Sequence, residues 1–177
     1  MTIYFDVDGV LANTPQYACD WAGWLYDVEM TPDMLTSIDP DVDGIAMGEL
    51  ITQVANDPRL NQYIKPIKGA RGGACWIEAH HKVCFITARP MSSNTGDWLM
   101  EHFNVRPIRV IYTDEKWREA KRPNDVLIDD NLEQCIAWAA TGHKAILFDQ
   151  PWNQAEELPA GVVRCKGWNA VRRELGL

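Results

Sequence analysis

The sequence predicts a three-layer α/β/α fold in which helices cover both faces of a central parallel β-sheet. Short apolar segments rich in Ile, Val, Leu and Phe recur along the 177-residue chain, as in strands that are buried on both faces. Helix-like segments separate the later ones, and this alternation is typical of a parallel sheet with helical crossovers. The segment between the first and second apolar runs is far longer than one crossover needs, which indicates an insertion.

The core elements follow one another in regular order. The candidate strands are residues 2–6, 82–87, 108–112, 125–129 and 144–148, and the helix-like segments are residues 70–80, 94–103, 116–121 and 131–141. Asn131 is a residue type that caps helix N-termini, and Gly142 is placed to end the same helix. After the fifth strand we expect an edge strand at 162–165 and a closing helix at 169–175.

The insertion, residues 12–66, is predicted to form a small helical cap over the strand tips, while residues 1–11 and 67–177 form the core. We expect helices at 15–27 and 45–55, with Trp21, Trp24 and Leu25 on the apolar side of the first. An extra helical layer packed elsewhere on the core is the alternative. The acidic stretch 39–44 lacks the glutamate that ends an EF-hand loop, so we expect a solvated turn there.

Composition indicates which partners and which cellular compartment to expect. Lys and Arg number 17 against 25 Asp and Glu, a net charge of −8, which disfavours a nucleic-acid polymer as partner. The five cysteines are odd in number and have no C-x-x-C spacing, so free thiols in the cytoplasm are expected. We see neither a signal-peptide pattern nor an apolar run of membrane-spanning length, and therefore expect no membrane partner.

Two carboxylates follow the first predicted strand. Asp6 and Asp8 are two residues apart, so they project to the same side, and Gly9 after them permits a sharp turn. Ligand sites of open α/β sheets lie beyond the carboxyl ends of strands, where both acids should stand. This arrangement suits a carboxylate nucleophile beside a carboxyl acid/base, with a divalent cation between them.

Three further signals fall at strand ends and should meet Asp6 at one edge of the sheet. Thr87 ends the second strand, Lys116 follows the third, and Asp129 and Asp130 end the fourth. Like charges about 4 Å apart at an effective dielectric near 20 repel by roughly 4 kcal/mol, so several converging acids favour a bound cation. Lys121 is a less favoured alternative to Lys116.

This ordered set resembles the haloacid dehalogenase-like phosphohydrolases over about residues 3–150. Within that superfamily the chain looks most like the 5′(3′)-deoxyribonucleotidase group, on residues 6–12, 113–116, 127–131 and 148–153. The resemblance implies a Rossmann-like core with a small cap inserted after the first strand. It also implies a Mg²⁺-dependent phosphomonoesterase that works through an aspartyl-phosphate and dephosphorylates deoxyribonucleoside monophosphates.

The resemblance implies catalytic roles for individual residues. Asp6 attacks phosphorus, and Asp8 protonates the leaving alkoxide before taking a proton from the water that hydrolyses the intermediate. The phosphoryl oxygens are bound by Thr87, Ala88 and Lys116. Asp8 must begin protonated, and we expect burial and acidic neighbours to raise its pKa.

The resemblance also implies a metal site. Mg²⁺ is held by Asp6, the backbone carbonyl of Asp8, and Asp130, while Asp129 either ligates or orients. Arg89 contacts a second anionic group of the substrate or pairs with a surface acid, and the sequence leaves both readings open.

Substrate identity also has alternatives. Tyr17, Trp21 and Trp24 have helical spacing; core packing explains at least two of them, and one ring could stack on a nucleobase. A phosphatase for a sugar phosphate or a nucleic-acid end is the rival enzyme, and a non-catalytic phospho-acceptor or partner-binding module is the rival of another class. The expected partner is a small phosphate ester such as a nucleotide, and a homodimer is left open.

Overall fold

The computed structural model describes residues 1–103, 109–154 and 157–177. Its strands are β1 (Thr2–Phe5), β2 (Asp41–Val42), β3 (Ile45–Ala46), β4 (Lys82–Thr87), β5 (Val110–Tyr112), β6 (Val126–Asp129), β7 (Lys144–Phe148) and β8 (Val162–Cys165). Its α-helices are α1 (Thr14–Tyr26), α2 (Met47–Asn56), α3 (Pro58–Asn61), α4 (Ala70–Glu78), α5 (Thr95–His102), α6 (Leu132–Ala139) and α7 (Trp168–Glu174).

A six-stranded parallel sheet with the order β5-β4-β1-β6-β7-β8 forms the centre of the molecule. The expected parallel sheet and the edge position of β8 are therefore confirmed. From β1 the chain builds outward through β4 and β5, and then returns to build outward on the other side from β6. The strand order thus reverses between β1 and β6, which is where ligand sites of such sheets form.

Helices cover the two faces of the sheet unequally. One face presents Ile3, Phe5 and Phe85 to α4, α5 and α7, whose Trp98 and Trp168 belong to the same buried cluster. The opposite face has α6 as its α-helix in the described part of the chain, and Trp138 of α6 packs against Tyr4. The three-layer α/β/α architecture is confirmed, with one thick layer and one thin layer.

Residues 12–66 fold around an apolar cluster of their own. Its buried members include Ala18, Cys19, Leu35, Met47 and Val54, from α1, α2 and the segment between them. The two connections to the rest of the chain lie side by side. The Asn13 amide donates to the Lys65 carbonyl at 2.9 Å, and the Ile67 amide donates to the Leu11 carbonyl at 2.7 Å. That this segment is a separate cap domain remains a proposal.

Two expectations about the insertion are wrong. The buried side of α1 consists of small residues such as Ala18 and Ala22, and Trp24 is 74% and Leu25 43% exposed. Trp21 is partly buried against the same cluster, as expected. Small side chains allow α1 and α2 to approach closely, and amphipathic spacing alone does not reveal this. The second helix begins at Met47 rather than at residue 45, because residues 41–46 form the β2–β3 hairpin.

Other local predictions agree with the structure or shift by a few residues. The hairpin turn holds Asp43 and Gly44 at positive φ and is exposed, which confirms the solvated acidic turn. The Asn131 side chain accepts hydrogen bonds from the amides of residues 133 and 134, as expected for a cap. The expected helix at 116–121 is only a 3₁₀ turn (Lys116–Glu119), and residue 108 of the third predicted strand lies outside the described residues.

All five cysteines are free. None of the helices in the described ranges is long and apolar enough to cross a membrane.

Candidate active site

The site lies at the carboxyl ends of β1, β4 and β6, where the strand order reverses. Asp6 follows β1, Thr87 ends β4, and Asp129 ends β6 with Asp130 directly after it. Gly9 closes the turn after β1 with φ of +68°, and a Cβ there would stand 2.1 Å from Oδ2 of Asp130. Glycine is therefore required at this position both for its backbone conformation and for its lack of a side chain.

Three buried carboxylates converge here around one lysine. The Lys116 ammonium donates to Oδ1 of Asp6 at 2.6 Å and to Oδ2 of Asp129 at 2.7 Å. Carboxylate oxygens of Asp6, Asp129 and Asp130 all lie within 4.8 Å of one another. Lys121, the alternative, is exposed and pairs with Glu119 instead. The lysine at the site is Lys116.

One ammonium does not offset three carboxylates in a buried position. Burial raises the pKa of Asp6 to about 7, with Asp129 and Asp8 adding to the shift and Lys116 opposing it. Burial, together with Asp6 and Asp129, also raises the pKa of Asp130 well above its usual range. Oxygen-rich, negatively charged clusters of this kind fit Mg²⁺, which prefers carboxylate ligands.

The Asp8 side chain turns away from this acid cluster. The Arg89 guanidinium donates to both of its carboxylate oxygens, at 2.9 Å from Nε and 2.6 Å from Nη2, and the Thr14 hydroxyl also donates to it. Burial alone would raise the pKa of Asp8, but Arg89 and Thr14 outweigh burial and the pKa is lowered. The expectation of a raised pKa is therefore wrong for this conformation, because the sequence did not indicate that buried Arg89 pairs with Asp8.

Aromatic and amide side chains after β7 position Asp130. The Trp152 indole N–H donates to Oδ2 of Asp130 at 2.8 Å, and the Asn153 side-chain amide donates to the Asp130 carbonyl at 2.7 Å. The backbone amide of Asn131 donates to Oδ1 of Asp129 at 2.9 Å. Residues 148–153 support the family resemblance. Their sequence does not show that Trp152 and Asn153 contact Asp130.

A cavity of about 200 Å³ opens in front of the acids. Its core side includes Asp6, Ala88 and Lys116, and the 12–66 segment contributes Pro15, Leu35, Ser37, Ile38 and Ile51. Trp152 is the aromatic residue among the described ones that line it. Thr87 lies buried beside it, and its hydroxyl accepts a hydrogen bond from the Arg89 amide at 3.2 Å.

The three aromatic residues of α1 lie elsewhere. Tyr17, Trp21 and Trp24 are not among the residues lining the cavity, and they form a run of ring contacts that continues from Tyr17 to Tyr63. This arrangement does not support a nucleobase contact by any of the three.

Solved structures with the same fold are distant in sequence. A hydrolase from Pseudomonas syringae has a TM-score of 0.61 and 16% identity, covering 99% of this chain and 98% of its own. A HAD family hydrolase from Deinococcus radiodurans with bound phosphate and sodium has a TM-score of 0.61 and 15% identity, covering 99% and 94%. The HAD-hydrolase YfnB from Bacillus subtilis, bound to magnesium, has a TM-score of 0.60 and 12% identity, covering 99% and 98%.

These likenesses show the fold. No curated protein sequence matches the chain. The family model described as "5' nucleotidase, deoxy (Pyrimidine), cytosolic type C protein" matches residues 1–175. Family, fold and the acid cluster agree that the protein is a hydrolase of the phosphatase or nucleotidase type, and the interpretation as a non-catalytic module is set aside. The chain belongs to the cytosolic type C 5′-nucleotidase family, and it has the fold of haloacid dehalogenase-like hydrolases.

Proposed function

We propose that this protein is a Mg²⁺-dependent phosphomonoesterase that forms an aspartyl-phosphate on Asp6, with deoxyribonucleoside monophosphates as substrates. The convergence of Asp6, Asp129 and Asp130 around Lys116, at the point where the strand order reverses, carries this proposal. These residues come from the end of β1, the crossover between β5 and β6, and the end of β6, so the cluster arises from the fold rather than from one local acidic run.

In the proposed reaction a carboxylate oxygen of Asp6 attacks the substrate phosphorus. A new P–O bond to Asp6 forms while the bond to the leaving alkoxide breaks, and the alkoxide takes a proton from Asp8. A water molecule then gives its proton to Asp8 as its oxygen attacks phosphorus, which releases inorganic phosphate and restores the Asp6 carboxylate. Dividing the transfer into two displacements eases each of them.

Asp8 must acquire its proton when substrate is present, because Arg89 favours its ionised form in the structure. A phosphoryl dianion entering the cavity places negative charge beside Asp8, which raises the pKa of a carboxyl group. The same dianion attracts the Arg89 guanidinium away from Asp8. Without substrate, the ion pair with Arg89 keeps Asp8 ionised. The negative charge of the substrate then shifts Asp8 toward its protonated form.

Lys116, Thr87 and the Ala88 backbone are the proposed phosphoryl-binding groups. Lys116 is buried beside Asp6, and its ammonium is close enough to reach an oxygen on the attacked phosphorus. The Thr87 hydroxyl accepts from the Arg89 amide and would donate its own proton to a phosphoryl oxygen. Donors at these positions would stabilise the charge that spreads over the equatorial oxygens during transfer.

The residues present fit a divalent cation. Asp6, Asp130 and the Asp8 backbone carbonyl are the proposed ligands, and Asp129, which belongs to the same cluster, would ligate or orient. When bound, Mg²⁺ would offset phosphoryl charge and the mutual repulsion of the carboxylates.

The substrate proposal depends on the family and on the cavity wall. Leu35, Ile38 and Ile51 provide an aliphatic surface for the leaving group, and Trp152 provides an aromatic one. A second cavity of about 340 Å³ also borders Ile38 and Trp152, so a nucleoside larger than the first cavity would have room. Sugar phosphates would use the same phosphoryl groups and leave the apolar wall uncovered.

The test is turnover of a phosphate-ester panel with Mg²⁺, in the wild type and in Asp6→Asn. We expect deoxyribonucleoside monophosphates to be hydrolysed fastest and Asp6→Asn to lose turnover while it keeps its fold by circular dichroism. Asp114→Asn, an exposed acid with no assigned role, is the matched control and should keep full activity. Activity that survives in Asp6→Asn would refute the covalent mechanism, and faster hydrolysis of sugar phosphates would refute the nucleotide assignment.

We also propose a cytoplasmic location. All five cysteines are free, which supports this location because the cytoplasm keeps thiols reduced. A homodimer stays a prediction, which size-exclusion chromatography with light scattering would check.

A further inference from the structure

A large cavity lies away from the acid cluster, at the opposite ends of the strands. It has a volume of about 1020 Å³ and runs along the starts of β1 and β4. Thr2 and Lys82, the first residues of these strands, line it, whereas Asp6 follows the last residue of β1 and Thr87 is the last residue of β4. It is about five times the size of the 200 Å³ cavity in front of Asp6.

The thin helical layer explains why this groove exists. Tyr4 and Cys84 point to the face that α6 covers, and both line the groove. The crossover from β5 to β6 on this side contains only the 3₁₀ turn Lys116–Glu119, so no α-helix lies over β4 within the described residues. Parallel sheets normally have helices over both faces, and here the missing helix leaves an open floor.

The floor of the groove includes the apolar residues Val83 and Cys84 and the aromatic ring of Tyr4. Tyr4 packs its ring against Trp138 with centroids 5.1 Å apart, and Val83 and Cys84 continue the surface. Burial raises the pKa of Tyr4 to about 12, with Asp125 adding to the shift, so its hydroxyl keeps a proton that can be donated. Such a floor suits a planar organic group.

The rim of the groove is positively charged in a protein that carries a net charge of −8. Its charged side chains are four basic ones against two acidic ones: Lys82, Arg109, Lys121, Arg122, Glu78 and Glu119. Lys121 pairs with Glu119 at 3.1 Å. Within the described part of the chain the other three basic side chains make no ion pair, so an excess of unpaired positive charge surrounds the apolar floor.

From this combination we propose that the groove is a second ligand site, which binds an organic polyanion of the nucleoside triphosphate class. The phosphates would lie against Lys82, Arg109 and Arg122, and the base would lie over Tyr4 and Val83. Three unpaired cations match a triphosphate better than a monophosphate, and the volume accommodates a whole nucleotide. The proposal is independent of the proposed function, since no residue of the acid cluster takes part.

Isothermal titration of the full chain with ATP, at physiological salt and with Mg²⁺, tests this proposal. The groove variant is the double substitution Lys82→Ser/Arg122→Ser. The control is Lys166→Ser/Arg173→Ser, which removes the same charge from exposed residues outside the groove. We expect one site in the wild type, about tenfold weaker binding in the groove variant, and little change in the control, because surface charges are screened over about 8 Å.

Inorganic tripolyphosphate in place of ATP separates the two parts of the ligand. We expect it to bind more weakly than ATP, because it cannot cover the apolar floor. Equal binding of the two probes would overturn the assignment to an organic ligand. Undetectable ATP binding at about 1 mM, or equal weakening in both double variants, would overturn the site itself. Binding is read without turnover, so loss of the phosphatase proposal would leave this result interpretable.

Discussion

At the scale of single residues, the site works through long side chains that arrive from distant parts of the sequence. Lys116 bridges Asp6 and Asp129, which are 110 and 13 residues away, and Arg89 reaches Asp8 across 81 residues. Each ion pair fixes a carboxylate in one orientation. The positions of the acids at strand ends are enough to identify them as site residues from the sequence. The orientations of their carboxylates depend on Lys116 and Arg89.

We predict that Arg89→Met destabilises the protein and that adding Asp8→Asn restores most of the loss. Removing one member of a buried ion pair leaves the other uncompensated, at a cost of about 3 kcal/mol, near the low end for buried pairs because the Asp8 side chain is 28% exposed. Free energies of unfolding from urea titration would measure both changes. Equal destabilisation by the single and double substitutions would contradict the coupling.

Trp152→Phe should weaken Mg²⁺ binding about tenfold while the protein keeps its fold, because ligand-orienting partners typically contribute 10- to 100-fold. The substitution keeps the ring and removes the N–H that holds Oδ2 of Asp130 at 2.8 Å. Calorimetric titration with Mg²⁺ gives the affinity directly. Trp24→Phe, at a residue that is 74% exposed, is the control, and unchanged affinity in Trp152→Phe would show that the indole does not orient Asp130.

At the scale of elements, periodicity predicted the strands well and the packing of the helices less well. Each strand is a continuous apolar run that is buried on both faces. Such a run can be recognised in the sequence without knowing which residues it contacts. The apolar face of α1 was misassigned in part, because Trp24 is exposed while Ala18 and Ala22 lie in one buried cluster with residues of α2. Close approach of two backbones is a property of the pair of helices, and the sequence of one helix does not show it.

The contact between α4 and α7 depends on Gly73. A Cβ at Gly73 would stand 2.3 Å from the Trp168 ring, whereas one at Gly72 would meet nothing within 4 Å. We predict that Gly73→Ala destabilises by about 1–3 kcal/mol through overpacking. Gly72→Ala, the neighbouring control in the same helix, should stabilise by up to about 1 kcal/mol through helix propensity. Thermal unfolding of the pair measures the difference, and similar melting temperatures would contradict this packing.

At the scale of the whole molecule, three buried carboxylates meet at one end of the sheet, and the groove at the other end has three basic side chains that make no ion pair within the described residues. When the carboxylates of the acid cluster are all ionised and no cation is bound, their mutual repulsion destabilises the folded state. The raised pKa values of Asp6 and Asp130 mean that the folded state holds protons that the unfolded state releases above about pH 4.

From this linkage we predict that stability in EDTA falls as pH rises from about 4 to about 7, since the folded state binds more protons in that range. Mg²⁺ should therefore raise the melting temperature more at pH 8 than at pH 5, where protons compete for Asp6 and Asp130. Burial lowers the pKa values of His81 and His102, so these residues make stability rise with pH. Their effect is the same in EDTA and in Mg²⁺, so it cancels when the two melting temperatures are compared. Scanning fluorimetry with EDTA or Mg²⁺ measures the shifts, and a larger Mg²⁺ effect at pH 5 would contradict the prediction.

The sequence by itself determined the parallel sheet, the strand ends that carry Asp6, Thr87 and Asp129, and the long insertion after β1. These features are local: apolar runs, strand-end polar residues and segment lengths can each be identified without knowing what they contact. Only the tertiary structure decided that Arg89 pairs with Asp8, that Trp152 holds Asp130, and that a groove with a basic rim replaces a covering helix. Those contacts join residues far apart in the chain, and their energies depend on burial and distance, which no local pattern specifies.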